Sequence, residues 1–275
     1  MDLKGPVPGM PGAIFRRVAE LPEHLPDGKP AGPHSQARPG HLLSVMPGIG
    51  RFSARNGELI EFAPDDHADR GSIMLLLNGT ARGALIHQRG ELPLHACTLV
   101  PPGSEQAVAI CGPSGAGKST LGAELSRRGW TLVADDTTRV TWKGDHVVAW
   151  PSRDSIKLWK DACEMAGIDI AALERVANGL DKYYVRVAAR DRPIRLGTIV
   201  ELAAAGDVPA LTAGDKMALV TRNTYRPAQI LPLGTQREHV RIVAQTAASC
   251  AMFRLPGERA LSVAALADAL ERALG

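Results

Sequence analysis

Aromatic residues are scarce: Phe, Trp and Tyr together make up 4% of the 275 residues. So thin a supply argues against a base-stacking surface for single-stranded nucleic acid. A net charge of +3 supplies no field for a polyanion either, so no nucleic-acid partner is expected. Cysteine is sparse and scattered. Cys97, Cys111, Cys163 and Cys250 form no C-x-x-C pair, which argues against a zinc site or a disulfide framework and reads as reduced thiols. The opening stretch MDLKGPVPGMPGAIFRRVAE lacks the apolar core of a signal peptide. No apolar run approaches the roughly 20 residues of a membrane span. A soluble, cytoplasmic protein with no membrane partner is expected.

Proline and glycine, by contrast, crowd one end. Residues 1–50 hold 9 of the 20 prolines and 8 of the 28 glycines, a density that interrupts any regular hydrogen-bond ladder. This segment is expected to be extended or partly disordered. His24, His34 and His41 lie in or beside it without acidic or cysteine neighbours, and read as solvated rather than metal-bound. Residues 51–90 read as a small N-terminal α+β subdomain. GELIEF alternates like a strand, and GTARGALIHQRG reads as a helix ending at Gly90, while PDDHADRG reads as a surface turn. Residues 91–275 form the main domain. There LPLHACTLV and AVAIC are strands joined by the turn formers PPGSEQ, and TTRVTW and HVVAW are a second hairpin about Lys-Gly-Asp. KDACEMAGIDIAALERVANG reads as helix in two pieces, and YYVRVA and IRLGTIVEL as strands. REHVRIVAQTAAS and SVAALADALERAL read as late helices.

One stretch carries chemistry. Gly112, Pro113, Ser114, Gly115, Ala116, Gly117, Lys118 and Ser119 fit the phosphate-binding pattern G-x-x-x-x-G-K-[ST]. A strand precedes it and the amphipathic STLGAELSRRG follows, which is the strand–loop–helix setting this chemistry needs. Glycines let successive N–H groups point at phosphate oxygens, and the helix start adds unpaired donors. Lys118 would neutralise the β/γ-phosphates and Ser119 would ligate magnesium, with Thr120 completing the nucleotide-binding set. ATP and Mg2+ are thus the expected cofactors. The strand TLVADD then stops at Asp135 and Asp136. Ligands of open α/β sheets bind beyond the carboxyl ends of strands. If this strand lies beside the P-loop strand, one carboxylate could hold magnesium while the other takes a proton. An Asp-Asp pair capping a turn is the alternative.

LHACTLV, CGPSGAGKST, RRGWTLVADD and the hairpin to AWP resemble the catalytic domain of the HPr kinase/phosphorylase superfamily, over roughly His95 to Trp159. That family is similar in its core to phosphoenolpyruvate carboxykinase. The resemblance implies an α/β fold with a P-loop kinase core over residues 91–275. It also implies Asp135 as general base, Asp136 as a magnesium ligand beside Ser119, and His95 orienting Asp135. Two departures stand out. Members that act on HPr usually carry Glu where this chain has Thr120, and their Glu-Ile-Arg-Gly-Leu-Gly run is missing. The lead-in ALIHQRGELPLHA looks more like the HPr-kinase-like proteins that accompany ribosomal peptide pathways. Some of those phosphorylate a serine of a lasso-peptide precursor. The expected activity is therefore transfer of the γ-phosphate of ATP to a Ser/Thr hydroxyl of a peptide or small protein, by a chain compatible with a homo-oligomer. The alternatives are a small-molecule kinase of the gluconate or adenylylsulfate kind, or a nucleotide-dependent ATPase switch. Lys157 could reach the transferred phosphate or be an exposed strand-end lysine. Arg186, Arg190, Arg192 and Arg195, like Arg222 and Arg226, could clamp an anion or line a solvated loop.

Overall fold

Between the prolines and glycines of the first fifty residues the chain has room only for short pieces, and those pieces are strands. The computed structural model describes residues 4–203, 210–256 and 262–275. β1 (Gly5–Pro6), β2 (Ile14–Arg17), β3 (Lys29–Pro30), β4 (Ser35–Arg38), β5 (His41–Met46), β6 (Gly50–Arg55) and β7 (Leu59–Pro64) make one sheet in the order β1-β2-β7-β6-β5-β4-β3. Pro6 and Pro30 sit in the two edge strands, where a missing N–H disturbs the ladder least. The segment expected to be extended or partly disordered is thus strand-bearing in its described residues. Val7, Met10, Phe15 and Leu42 share a core with Phe52, Ile60 and Phe62. A boundary at residue 50 falls within this sheet, at the first residue of β6. His41 lies in β5 and meets Ser53 Oγ at 2.9 Å, so it is not a solvated loop residue.

The helix expected before Gly90 begins earlier than its apolar pattern indicates, because Asp69 caps it by accepting from the Gly71 and Ser72 amides. α1 (Arg70–Leu76) passes through a π turn at Leu77–Ala81 into α2 (Arg82–Gln88), and Gly90 leaves with a φ of 68°. The chain divides into two units. The first comprises 1–93, 175–180 and 225–242, and the second 94–174, 181–224 and 243–275. The span expected as one domain from residue 91 is therefore interrupted twice.

The second unit is mixed α/β. Its strands are β8 (Leu92–Leu94), β9 (Ala96–Val100), β10 (Gln106–Cys111), β11 (Thr131–Ala134), β12 (Thr138–Lys143) and β13 (His146–Trp150), then the separate hairpin β14 (Ser155–Trp159) and β15 (Lys182–Arg186), and finally β16 (Ile194–Ala203) and β17 (Ala251–Pro256). The main sheet runs β11-β9-β10-β16-β13-β12-β8, with β17 also on β16. Both expected hairpins, β9/β10 and β12/β13, are antiparallel pairs. The strand ending at the aspartates does not adjoin the P-loop strand, since β9 lies between them. β9 is antiparallel to both, so β10 and β11 run the same way and end on the same edge. Its helices are α3 (Lys118–Arg127), α4 (Lys160–Met165), α5 (Ala213–Arg222) and α8 (Val263–Leu274), while α6 (Ile230–Leu233) belongs to the first unit and α7 (Gln236–Ser249) crosses the division. α3 approaches β9 closely enough that a Cβ on Gly122 would stand 2.4 Å from Cys97 Sγ. Leu121, Leu125 and Trp130 pack there with Leu99, Ile110, Ile156 and Leu158. Among the described residues, no helix is long and apolar enough to cross a membrane.

Candidate active site

β10 delivers the chain to Gly112, and the turn back into α3 needs backbone angles that side chains disfavour. Gly112, Gly115 and Gly117 have φ of 144°, 82° and 88°. A Cβ at Gly112 would meet the Leu202 carbonyl at 3.0 Å, whereas Gly115 and Gly117 have nothing within 4 Å on that side. The loop is therefore tight where it leaves the sheet and open where it enters the helix, and the first amides of α3 need acceptors from outside the helix. Lys118 is buried and donates from Nζ to the Gly112 and Pro113 carbonyls at 2.8 and 3.0 Å. Burial pulls its pKa below the usual lysine value against the opposing pull of Asp136 and Asp135.

The two aspartates diverge. Ser119 Oγ donates to Asp135 Oδ1 at 2.9 Å, and the Lys157 backbone amide donates to Asp135 Oδ2 at 2.9 Å. Asp136 adopts a left-handed φ of 72°, uncommon outside glycine, and this turns its carboxylate away from Ser119. Its Oδ2 accepts from Lys157 Nζ at 2.5 Å. Burial would raise the Asp136 pKa, but the Lys157 ammonium overrides it and brings it down to about 2. The Lys157 ammonium is raised in turn, because the carboxylates of Asp136 and Asp135 outweigh its burial. His95 Nδ1 lies 2.8 Å from the Asp136 carbonyl oxygen and 3.6 Å from Asp136 Oδ1. A carbonyl only accepts, so Nδ1 carries the proton in the neutral ring and Nε2 is the basic nitrogen. Burial and Lys118 hold the His95 pKa below its usual value, which keeps the ring neutral at pH 7.

Three of these contacts concern residues singled out in the sequence. Ser119 shares an oxygen pair with Asp135, not Asp136. His95 is hydrogen-bonded to the Asp136 backbone. Lys157 is no exposed strand-end residue, since its side chain is 16% exposed and paired. Arg222 is also settled: its guanidinium grips both oxygens of Glu201, and Arg254 Nε adds a bond at 3.1 Å. Arg226 stacks on Tyr225, with its guanidinium 5.3 Å from the ring centre. Arg186, Arg190, Arg192 and Arg195 are exposed, and Arg186 stands 4.0 Å from Asp154.

Sequence reasoning passed over Glu201, Asn223 and Lys182. Glu201 interrupts the apolar run of β16 and sits opposite Cys111, the last residue of β10, in parallel register. Asn223 Oδ1 accepts from the Gly112 amide at 3.1 Å, its backbone oxygen accepts from the His95 amide at 2.7 Å, and its Nδ2 donates to Glu201 at 3.0 Å. One buried amide thus fastens the loop and the histidine strand together. Lys182 faces Trp159 across the β14/β15 hairpin, 5.2 Å from the ring centre.

Among the described residues, no three His, Cys, Asp or Glu side chains converge on a protein-only metal site. Ser119 and Asp135 nonetheless place two hard oxygen donors side by side at the mouth of the loop. That set fits magnesium, which is commonly held by one or two carboxylates together with substrate phosphates. The open loop and the retractable Lys118 ammonium fit a triphosphate.

Neither a family model nor a curated relative matches the chain. Among solved structures it is similar to the Hpr(Ser) kinase/phosphatase from Coxiella burnetii, at 20% identity over 43% of this chain and 69% of that chain, with a TM-score of 0.29.

Proposed function

We propose that this chain is an ATP-dependent kinase that moves the γ-phosphate to a serine or threonine hydroxyl of a peptide or small protein, such as the precursor of a ribosomal lasso peptide. The observation that carries the reading is the Ser119 Oγ to Asp135 Oδ1 contact beside the loop, because a P-loop hydroxyl and a strand-end carboxylate are the pair that holds magnesium in P-loop enzymes. The loop amides bind the phosphates. Lys118 leaves the Gly112 and Pro113 carbonyls to face the β- and γ-phosphate oxygens. Ser119 and Asp135 would hold magnesium, which would neutralise phosphate charge there. Asp136 receives the acceptor. Its Oδ2 is occupied by Lys157, leaving Oδ1 to accept the hydroxyl proton as the acceptor oxygen forms its bond to phosphorus. The bond from phosphorus to the bridging oxygen breaks, and ADP departs with the electron pair. Lys157, drawn toward the incoming phosphoryl group, releases Asp136 from its ion pair and raises its basicity at that moment. His95 fixes the Asp136 backbone throughout.

Incubation with γ-labelled ATP, magnesium and serine-containing peptides tests the reading. Each modified peptide should gain one phosphoryl group, about 80 Da, at a serine or threonine. Transfer to gluconate or adenylylsulfate with every peptide unlabelled would replace the peptide acceptor by a small one. ATP hydrolysis with no acceptor labelled would make the chain an ATPase switch.

A further inference from the structure

The β14/β15 hairpin alternates strictly. Ile156, Leu158, Tyr183 and Val185 point into the hydrophobic core beneath α3. In an antiparallel pair, residues directly opposite share a face, and the register sets Lys157 against Tyr184, Trp159 against Lys182, and Ser155 against Arg186. The outer face therefore carries three cations and two aromatic rings. Arg153 adds a fourth cation, its guanidinium 5.1 Å from the Tyr184 ring centre. In the middle pair of the face Lys157 holds Asp136. At one end Arg186 is 87% exposed and stands 4.0 Å from Asp154, and at the other lie Trp159 and Lys182. Lys182 and Arg153 lean on rings, an arrangement that keeps a cation desolvated and oriented without spending it on a carboxylate. Lys182 is held below its ordinary pKa by burial and by the neighbouring Lys157. A structural hairpin face has no need of such an excess of one sign beside a phosphoryl-transfer centre.

We infer that this face is the acceptor-docking surface and that it takes an acidic peptide, whose carboxylates lie along Lys182, Arg153 and Arg186 while its hydroxyl reaches Asp136. This deepens the kinase reading and rests on it for the orientation of the peptide, though not for the binding itself. Charge complementarity selects the occupant. Rings that support cations favour a short extended chain bearing carboxylates, and the aspartates beside the middle pair would repel a nucleic-acid backbone.

Fluorescence anisotropy on the full chain tests the surface apart from catalysis. The probe is a short labelled peptide with one serine between glutamates, and its counterpart has lysines in their place. The glutamate peptide should bind at least about tenfold tighter, with an affinity that falls as salt is raised. Arg186→Glu and Lys182→Glu should each weaken it about tenfold, while Arg186→Glu keeps its calorimetric ATP affinity, since Arg186 is solvent-exposed. Equal affinity for the two peptides, or charge reversal without effect, would overturn the inference. So would a single-stranded oligonucleotide that binds more tightly than the glutamate peptide. Binding of the glutamate peptide without phosphorylation would sustain the surface and defeat the kinase reading. Phosphorylation of both peptides with equal KM would do the reverse.

Discussion

Asp135 and Asp136 are adjacent, identical in chemistry and differently partnered. The extended backbone at the end of β11 presents Asp135 to Ser119, and the left-handed turn at Asp136 carries the next carboxylate to Lys157 and His95. Sequence could mark the pair, because two carboxylates at a strand end are conspicuous. It could not tell their partners apart, because the left-handed turn at Asp136 leaves no local pattern in the sequence. Asp135→Asn should raise the magnesium concentration needed for activity, since it replaces an anionic metal ligand by a neutral one. Asp136→Asn should leave ATP affinity nearly intact and lower turnover by about 10² or more, the usual worth of a positioned base. Magnesium titrations of the two variants check this. If Asp136→Asn shifts the metal requirement and Asp135→Asn only slows turnover, the assignment is reversed. Lys157 escaped its proper reading for a related reason: nothing in SIKLW says that its ammonium is buried against a carboxylate.

At the scale of elements, the strand–loop–helix unit and both hairpins were legible, because turn formers and period-two alternation are local properties. Strand order was not. β9 separates β11 from β10, and only the antiparallel hand of both pairings brings their ends to one edge. The Asn223 bridge was equally hidden, since Gly112, His95, Glu201 and Asn223 are far apart in sequence and meet only through the sheet. That bridge makes a definite prediction. Asn223→Ala removes the acceptor for the Gly112 amide and one donor to Glu201, leaving buried polar groups unsatisfied at about 1–3 kcal/mol. Urea unfolding should show a loss of that order, and KM for ATP should rise as the loop loosens. Asn223→Asp should recover neither, because its second oxygen would face the Glu201 carboxylate. A variant with unchanged stability and unchanged KM would show that the amide does not hold the loop.

At the scale of the whole molecule, residues 1–50, read as extended or partly disordered from proline density, carry most of their prolines in turns and edge strands of a sheet that continues past residue 50. The excursions 175–180 and 225–242, which return to the first unit, leave no mark in composition. That unit carries its own pH dependence. His87 is buried, with Nε2 on the Tyr225 carbonyl at 3.0 Å and the His239 ring centre 6.1 Å away. Burial lowers its pKa from 6.5 to about 4. The unfolded chain therefore binds the proton first as pH falls through 6.5, and stability is lost down to about 4 and then levels off. The full loss from this one ring is about 3 kcal/mol. Denaturant unfolding across that window should show the fall, and His87→Gln should reduce it, leaving the share of His41, whose pKa burial and Arg55 also bring down to about 4. Equal slopes for the two proteins would remove His87 as the cause.

The central claim is that the loop from Gly112 to Ser119 binds the phosphates of ATP for transfer, with Lys118 as its charge. Calorimetric titration of ATP with magnesium into the wild-type chain and into Lys118→Ala tests it most directly. The wild type should bind one equivalent, and the variant, without the ammonium facing the β- and γ-phosphates, should bind at least about tenfold more weakly, a loss of about 1.4 kcal/mol. Undiminished affinity in Lys118→Ala, or no binding by the wild type, would contradict it.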